Sequence, residues 1–219
     1  MFSIFVLLFA IILILLFVKN KIRIKFYTFK YKGFKARRGK FGVYCYCGKQ
    51  GTGKTYSVIE FLNENKDQKI FANLKSIEGV NYEIINNFNE LLELRSEKDC
   101  IIFYDEIFTA LTKHSKLNTE VLDFLSQMRK RNIIFLTTAQ EWAEIPLTFR
   151  RYCRYQIDCS IFNFFPFSIL VKRFYDAENM KWSNDDNDFI APILETTVSK
   201  MQKRIANSYD TFEQISNSS

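Results

Sequence analysis

The chain has 219 residues, 47% of them hydrophobic and 16% aromatic, which allows one medium-sized core plus a short appendage. Its formal charge of +7 does not make the globular part a general nucleic-acid binder, because residues 1–40 hold ten of the 31 Lys/Arg and no Asp/Glu. In the remaining 179 residues 21 Lys/Arg stand against 24 Asp/Glu, so any DNA contact there must come from local patches.

The chain opens on "FSIFVLLFAIILILLFV" (Phe2 to Val18), 17 residues without a charge, fifteen of them Leu, Ile, Phe or Val. As a helix this run spans about 26 Å and favours insertion into a bilayer by several kcal/mol. A signal peptide would carry a basic residue before the run and a small-residue cleavage site after it, and this sequence has neither. The expectation is a transmembrane helix over residues 1–18, with a buried core helix as the bland alternative.

The basic segment 19–40 follows, with Lys19, Lys21, Arg23 and Lys25 leading to Arg37, Arg38 and Lys40. Positive charge stays on the cytoplasmic side, so the expected topology is single-pass, N-terminus outside, in the cytoplasmic membrane. The same charges suit anionic membrane lipids. The alternation in "KIRIKFYTFKYK" predicts a short strand or ribbon standing on the membrane.

A P-loop ATPase domain is expected over residues 41–194. "FGVYCYC" reads as a buried strand, in which Cys45 and Cys47 point to one face as buried thiols. The five cysteines show neither a disulfide nor a zinc pattern and fit a reducing compartment. The strand runs into Gly48, Lys49, Gln50, Gly51, Thr52, Gly53, Lys54 and Thr55, a full match to G-x-x-x-x-G-K-[ST]. Val58, Phe61 and Leu62 then recur at helical spacing, the strand–loop–helix context the motif requires. Residues Gly48 to Tyr56 are the expected nucleotide site. Backbone N–H groups converge on the phosphates, Lys54 reaches the β/γ-phosphates of ATP, and the Thr55 hydroxyl ligates Mg2+.

About 50 residues further on, "DCIIFYDEIF" reads as a strand ending in Asp105 and then Glu106. Asp105 is expected to hold Mg2+, directly or through water, and Glu106 to polarise the attacking water. The next strand, Ile133 to Thr138, is preceded by Arg129, Lys130 and Arg131 and followed by Gln140. Gln140 stands where open parallel sheets bind ligand, placed to sense the γ-phosphate or position water. Arg129 or Arg131, at the opposite edge, is either an arginine finger for a neighbouring subunit or a solvated helix terminus.

"RYQIDCSIF" and "FSILVKRFY" predict a hairpin with an aromatic turn. Arg154, Lys172 and Arg173, with Arg150 and Arg151, are candidate contacts to a DNA backbone. Phe162, Phe164 and Phe165 are candidates for stacking bases, or for core or subunit contacts. "SNDDNDF" lacks the glycine and terminal glutamate of a calcium loop. The lone His114 has no partner pattern. From residue 195 to 219 the chain reads as a polar helix or tail.

The P-loop, the Asp105-Glu106 strand, the basic residue before the next strand and the glutamine after it resemble the FtsK–HerA class of DNA-pumping ATPases. Within it the chain resembles the Zot-like, gene I-type assembly ATPases of filamentous phages, over about residues 41–175. "IFANLKSI", with a strand ending in Asn73, is similar to that family's second strand. The resemblance implies an α/β fold with a mostly parallel central sheet flanked by helices. It further implies a homo-oligomeric ring in the host inner membrane, extruding single-stranded phage DNA while coat or assembly proteins gather around it. In better-known members the membrane helix follows the ATPase; here the apolar run precedes it. Two other classes remain open at this point. One is a nucleotide-switched membrane scaffold; the other is a small P-loop kinase, against which the Asp105-Glu106 pair and the membrane tether weigh.

Overall fold

In the computed structural model, which describes residues 6–12, 22–25, 41–107, 110–111, 117, 119–164 and 167–210, a sheet extends to both sides of strand β2 (Gly42–Cys47). Every residue of β2 is buried. Alternation sends Tyr44 and Tyr46 to one core cluster and Val43, Cys45 and Cys47 to the other. A strand covered on both faces needs a continuous apolar run, which "GVYCYC" supplies.

On one side of β2 lie β6 (Ile134–Ala139), β5 (Cys100–Tyr104), β3 (Lys69–Ala72) and β4 (Glu83–Ile84). On the other lie β7 (Cys153–Phe164), β8 (Phe167–Asp176), β11 (Ile193–Lys200) and β1 (Ile22–Lys25). Only β8 runs against its neighbours, so the sheet is mostly parallel, as expected, and the hairpin of β7 and β8 forms in the expected place. The short strands β9 (Lys181–Ser183) and β10 (Asp188–Ile190) make a separate ribbon.

Helices cover both faces. Helix α2 (Lys54–Glu64) and the short α6 (Lys203–Ala206) supply Tyr56, Val58, Ile59, Phe61, Leu62 and Ile205 to the first cluster. Helices α3 (Phe88–Glu93), α4 (Thr119–Arg131) and α5 (Leu147–Arg150) cover the second. In α4 the buried residues are Val121, Phe124, Leu125 and Met128, an i, i+3, i+4, i+7 stripe. The helix stops at Asn132, whose φ of +53° lets the Ile133 N–H return to the Met128 carbonyl at 3.0 Å. That turn sets the start of β6. Burial pushes the Cys45 and Cys153 thiols up from their usual range, and all five cysteines are free and buried.

One expectation is described only in part and two change. Residues 6–12 are helical (α1), and among the described residues no helix is long and apolar enough to cross a membrane; the rest of the Phe2–Val18 run lies outside the described residues. The strand expected to stand on the membrane is β1, an edge strand parallel to β11 in the main sheet, so part of the 19–40 segment belongs to the domain. The polar tail expected from residue 195 begins instead as the last six residues of β11. Thr196 and Thr197 are β-branched and, with Ser199, are buried between β8 and β1. Beyond α6 the chain turns back: the Glu78 N–H donates to the Ser208 carbonyl at 2.7 Å, and Tyr209 bridges Ile77. Residues 211–219, like His114 and the side chains of Phe164 and Phe165, lie outside the described residues.

Candidate functional site

β2 delivers the chain to the C-terminal edge of the sheet, where Gly48 turns it. The Gly48 N–H donates to the carbonyls of Ala139 (3.3 Å) and Gln140 (3.1 Å), which joins the phosphate loop to the end of β6. Gly48 has φ +144°, and a Cβ there would lie 2.5 Å from Thr52 Oγ1 and 2.9 Å from the Cys159 carbonyl, so no other residue fits. At the far end Gly53 (φ +87°) precedes α2 as its N-cap, and no side chain caps the helix. The first-turn N–H groups of α2 and its dipole therefore face the loop, an arrangement suited to an anion. The Lys54 ammonium is held over the loop, donating to the carbonyls of Gly48 (2.7 Å) and Lys49 (3.1 Å).

Tyr56 departs from expectation. It lies about 200° around the helix from Lys54, is 1% exposed, and its hydroxyl accepts from the Gln202 N–H at 2.8 Å. Its side chain fastens α2 to the segment after β11 and does not line the loop.

The carboxylates meet the loop across the sheet. Thr55 Oγ1 donates to Asp105 Oδ2 at 3.4 Å, and Thr138 donates to Asp105 Oδ1. The same Thr138 Oγ1 accepts from the Glu106 N–H at 2.8 Å. Asn73 clamps the backbone: its Oδ1 accepts from the Asp105 N–H (2.7 Å) and its Nδ2 donates to the Asp105 carbonyl (3.3 Å). These contacts hold Glu106 at φ +52°, a conformation uncommon outside glycine, which turns the chain sharply just after Asp105. Burial pushes the Asp105 carboxyl up; the Thr138 bond opposes this and the Glu106 charge adds to it. Thr55 and Asp105 thus offer a hydroxyl and a carboxylate oxygen side by side. Among the described residues no group of three or more His, Cys, Asp or Glu gathers as a metal cluster. Mg2+ needs none, since it takes one or two carboxylates with substrate phosphates and water.

Thr138 and Asn73 hold the Asp105-Glu106 turn, and the motifs did not single out Thr138. A second addition is Tyr209, half-buried at the same edge; burial and the Asp105 carboxylate push its phenol up to about 12. Gln140 sits beside Gly48 as expected for a residue at the strand end.

Arg129 and Arg131 end α4 at the opposite edge, away from the loop. The Arg129 guanidinium lies 5.8 Å from the Phe41 ring centroid, and the Arg131 carbonyl accepts from the Asp99 N–H. Three expected DNA contacts are otherwise engaged. Lys172 is buried and donates to Glu60 Oε2 at 2.6 Å. Arg154 is buried over the Phe41 ring, 4.2 Å from its centroid, and donates to the Phe41 carbonyl. Arg150 is buried against Asp188 at 3.0 Å, so one carboxylate of the acidic loop serves an ion pair. Arg151 and Arg173 are exposed.

A family model described as "ATPase family associated with various cellular activities (AAA)" matches residues 44–161, which run from β2 through the loop and both carboxylates into β7. No curated protein matches the sequence. Among solved structures, the chain is similar to the N-terminal domain of zonular occludens toxin from Neisseria meningitidis, with 14% identity and a TM-score of 0.51 over 77% of this chain and 98% of that one. It is also similar to the genome packaging NTPase B204 from Sulfolobus turreted icosahedral virus 2 in complex with ATP-gammaS, with 12% identity and a TM-score of 0.48 over 72% of this chain and 100% of that one. At these identities the likeness is one of fold.

Proposed function

The chain belongs to the AAA family of ATPases, and from that premise we propose that it is a membrane-anchored motor using ATP and Mg2+ to export single-stranded phage DNA during virion assembly. The observation that carries the ATP-hydrolysing part of this reading is the meeting of Thr55 and Asp105 at the loop that holds Lys54, with Glu106 next in the chain on a turn held by Thr138. A second carboxylate next to the one on the metal side suits attack by water better than transfer to a small acceptor. In this reading Lys54 and the α2 N-terminus bind the phosphates, and Thr55 and Asp105 hold the metal. Glu106 takes the proton of the attacking water, and Gln140 senses the γ-phosphate from beside Gly48. Bound Mg2+ would supply charge neutralisation at the phosphate oxygens.

Export of phage DNA is supported by the motif order that resembles the Zot-like assembly ATPases and by the fold likeness to a zonular occludens toxin domain. The uncharged run Phe2 to Val18 and the basic residues after it support an anchor in the host cytoplasmic membrane, with lipid contacts and the ATPase inside. The placement of Arg129 and Arg131 supports ring assembly: facing away from their own loop, one of them would serve a neighbour's nucleotide in a homo-oligomer. Mixing Arg129→Ala or Arg131→Ala subunits into wild-type protein should lower turnover by more than their share of the mixture. Strictly proportional loss for both variants would remove the arginine finger.

The test of the whole reading is ATP turnover by the detergent-solubilised chain with and without DNA. Single strands are expected to raise turnover more than duplex does. Turnover indifferent to DNA and raised by phage coat protein would favour a nucleotide-switched scaffold.

A further inference from the structure

The β7–β8 hairpin is longer than the sheet requires. β2 pairs with β7 only as far as Asp158, opposite Cys47, and residues 159–164 run on past the phosphate loop with β8 as partner. On the face toward α2, Ile161 and Leu170 close over the start of that helix, with Ile161 Cδ1 3.0 Å and Leu170 Cδ1 2.9 Å from where a Gly53 Cβ would stand. On the opposite face, described side chains stand exposed. There Phe162 pairs in register with Ile169, and Ile169 with Lys200, a row across three strands. Phe162 and Phe167 are 49% and 42% exposed, far more than packing of such side chains normally leaves. The Lys200 ammonium lies 5.6 Å from the Phe167 ring centroid. The Met201 N–H donates to the Ser168 carbonyl at 2.9 Å, which holds the following turn against the hairpin end, and Lys203 and Arg204 are exposed just beyond it.

Charge marks this end apart from the rest of the domain. Residues 159–172 and 196–208 contain no Asp or Glu, although residues 41–219 as a whole carry more acidic than basic groups. Exposed cations with two presented aromatic rings match the chemistry of a single strand, whose bases stack and whose phosphates seek cations.

We infer that the end of the β7–β8 hairpin, with Lys200 and the head of α6, is where the protein grips single-stranded nucleic acid. Bases stack on Phe162 and Phe167 beside Lys200, and the phosphates run on over the end of β11 to Lys203 and Arg204, which α6 carries on the α2 side of the sheet. The inference rests on the reading that a single strand is the cargo, and names the surface that holds it. Because Ile161 and Leu170 touch the loop–helix junction, a strand held at the hairpin end is one layer of side chains from the nucleotide.

The experiment is fluorescence anisotropy of a labelled oligodeoxythymidine with the full chain in detergent, across a salt series. The Phe162→Ala/Phe167→Ala pair should bind about tenfold more weakly or worse, and Phe162→Tyr/Phe167→Tyr should bind like wild type. The Lys200→Ala/Lys203→Ala/Arg204→Ala variant should show a shallower slope of log affinity against log salt, by about 0.7 for each phosphate left without its cation. ATP turnover without DNA should stay at the wild-type level in all three, which reports intact folding; if the alanine pair does not fold, the cation variant and the tyrosine pair decide the matter. Wild-type binding that survives both the alanine pair and the cation variant overturns the inference while leaving the motor reading standing. So does an alanine pair that breaks the oligomer but keeps its DNA affinity, since the rings would then be a subunit contact. A wild-type chain that binds no single strand defeats the motor reading itself.

Discussion

Glu106→Gln is expected to lower ATP turnover by about 10²- to 10⁴-fold while nucleotide binding persists. The substitution keeps the size of the side chain and the backbone N–H bond to Thr138, so the turn at φ +52° stays in place. What it removes is the group proposed to accept the proton of the attacking water. Lys54→Ala should behave differently, losing nucleotide binding and turnover together, because the ammonium held over the loop is the group proposed to bind the phosphates. Steady-state phosphate release and equilibrium binding of a fluorescent ATP analogue separate the two outcomes. Wild-type turnover in Lys54→Ala would mean that hydrolysis takes place elsewhere.

Lys172→Met should destabilise the domain by about 3–5 kcal/mol, because it strands the buried Glu60 carboxylate without its ammonium. In a chain of this size that corresponds to a fall of roughly 6–20 °C in Tm. Burial pulls the Lys172 ammonium down and the Glu60 carboxylate more than compensates, so the net direction is up and the lysine stays charged. Glu60 lies on α2 and Lys172 on β8, so the pair ties the helix that begins at the phosphate loop to the hairpin. Replacing both, as Glu60→Leu/Lys172→Met, should restore much of the loss, since two apolar groups leave no charge unpaired. Thermal unfolding of the single and double variants is the measurement. An unchanged Tm in Lys172→Met with weakened DNA binding would return Lys172 to the surface role that the sequence suggested.

The parts of the site that lie on consecutive residues were legible in the sequence. Gly48 to Thr55 follow one another on a strand–loop–helix, and Asp105 ends a run of buried apolar residues, so pattern and position agree. Thr138 was hidden because a threonine in a β-strand is ordinary; only the pairing of β5 with β6 brings it to Asp105. Arg150, Arg154 and Lys172 read as surface cations because their partners are remote in sequence, Lys172 from Glu60 by 112 residues and Arg154 from the Phe41 carbonyl by 113. Tyr56 was grouped with the loop by adjacency, although helical rotation turns it to the core. The strand β11 was missed because "ILETTVSK" is polar by composition. It stays in the sheet through its β-branched residues, and its Thr196, Thr197 and Ser199 are buried by neighbouring strands rather than by an apolar pattern of its own.

The central claim, an ATP-driven motor for a single strand, is tested most directly by the initial rate of ATP hydrolysis as single-stranded DNA is titrated into the full-length protein at fixed salt. The expected result is a saturable rise in rate that disappears in Glu106→Gln. A rate that stays flat across the titration, in protein that binds the strand, would contradict it.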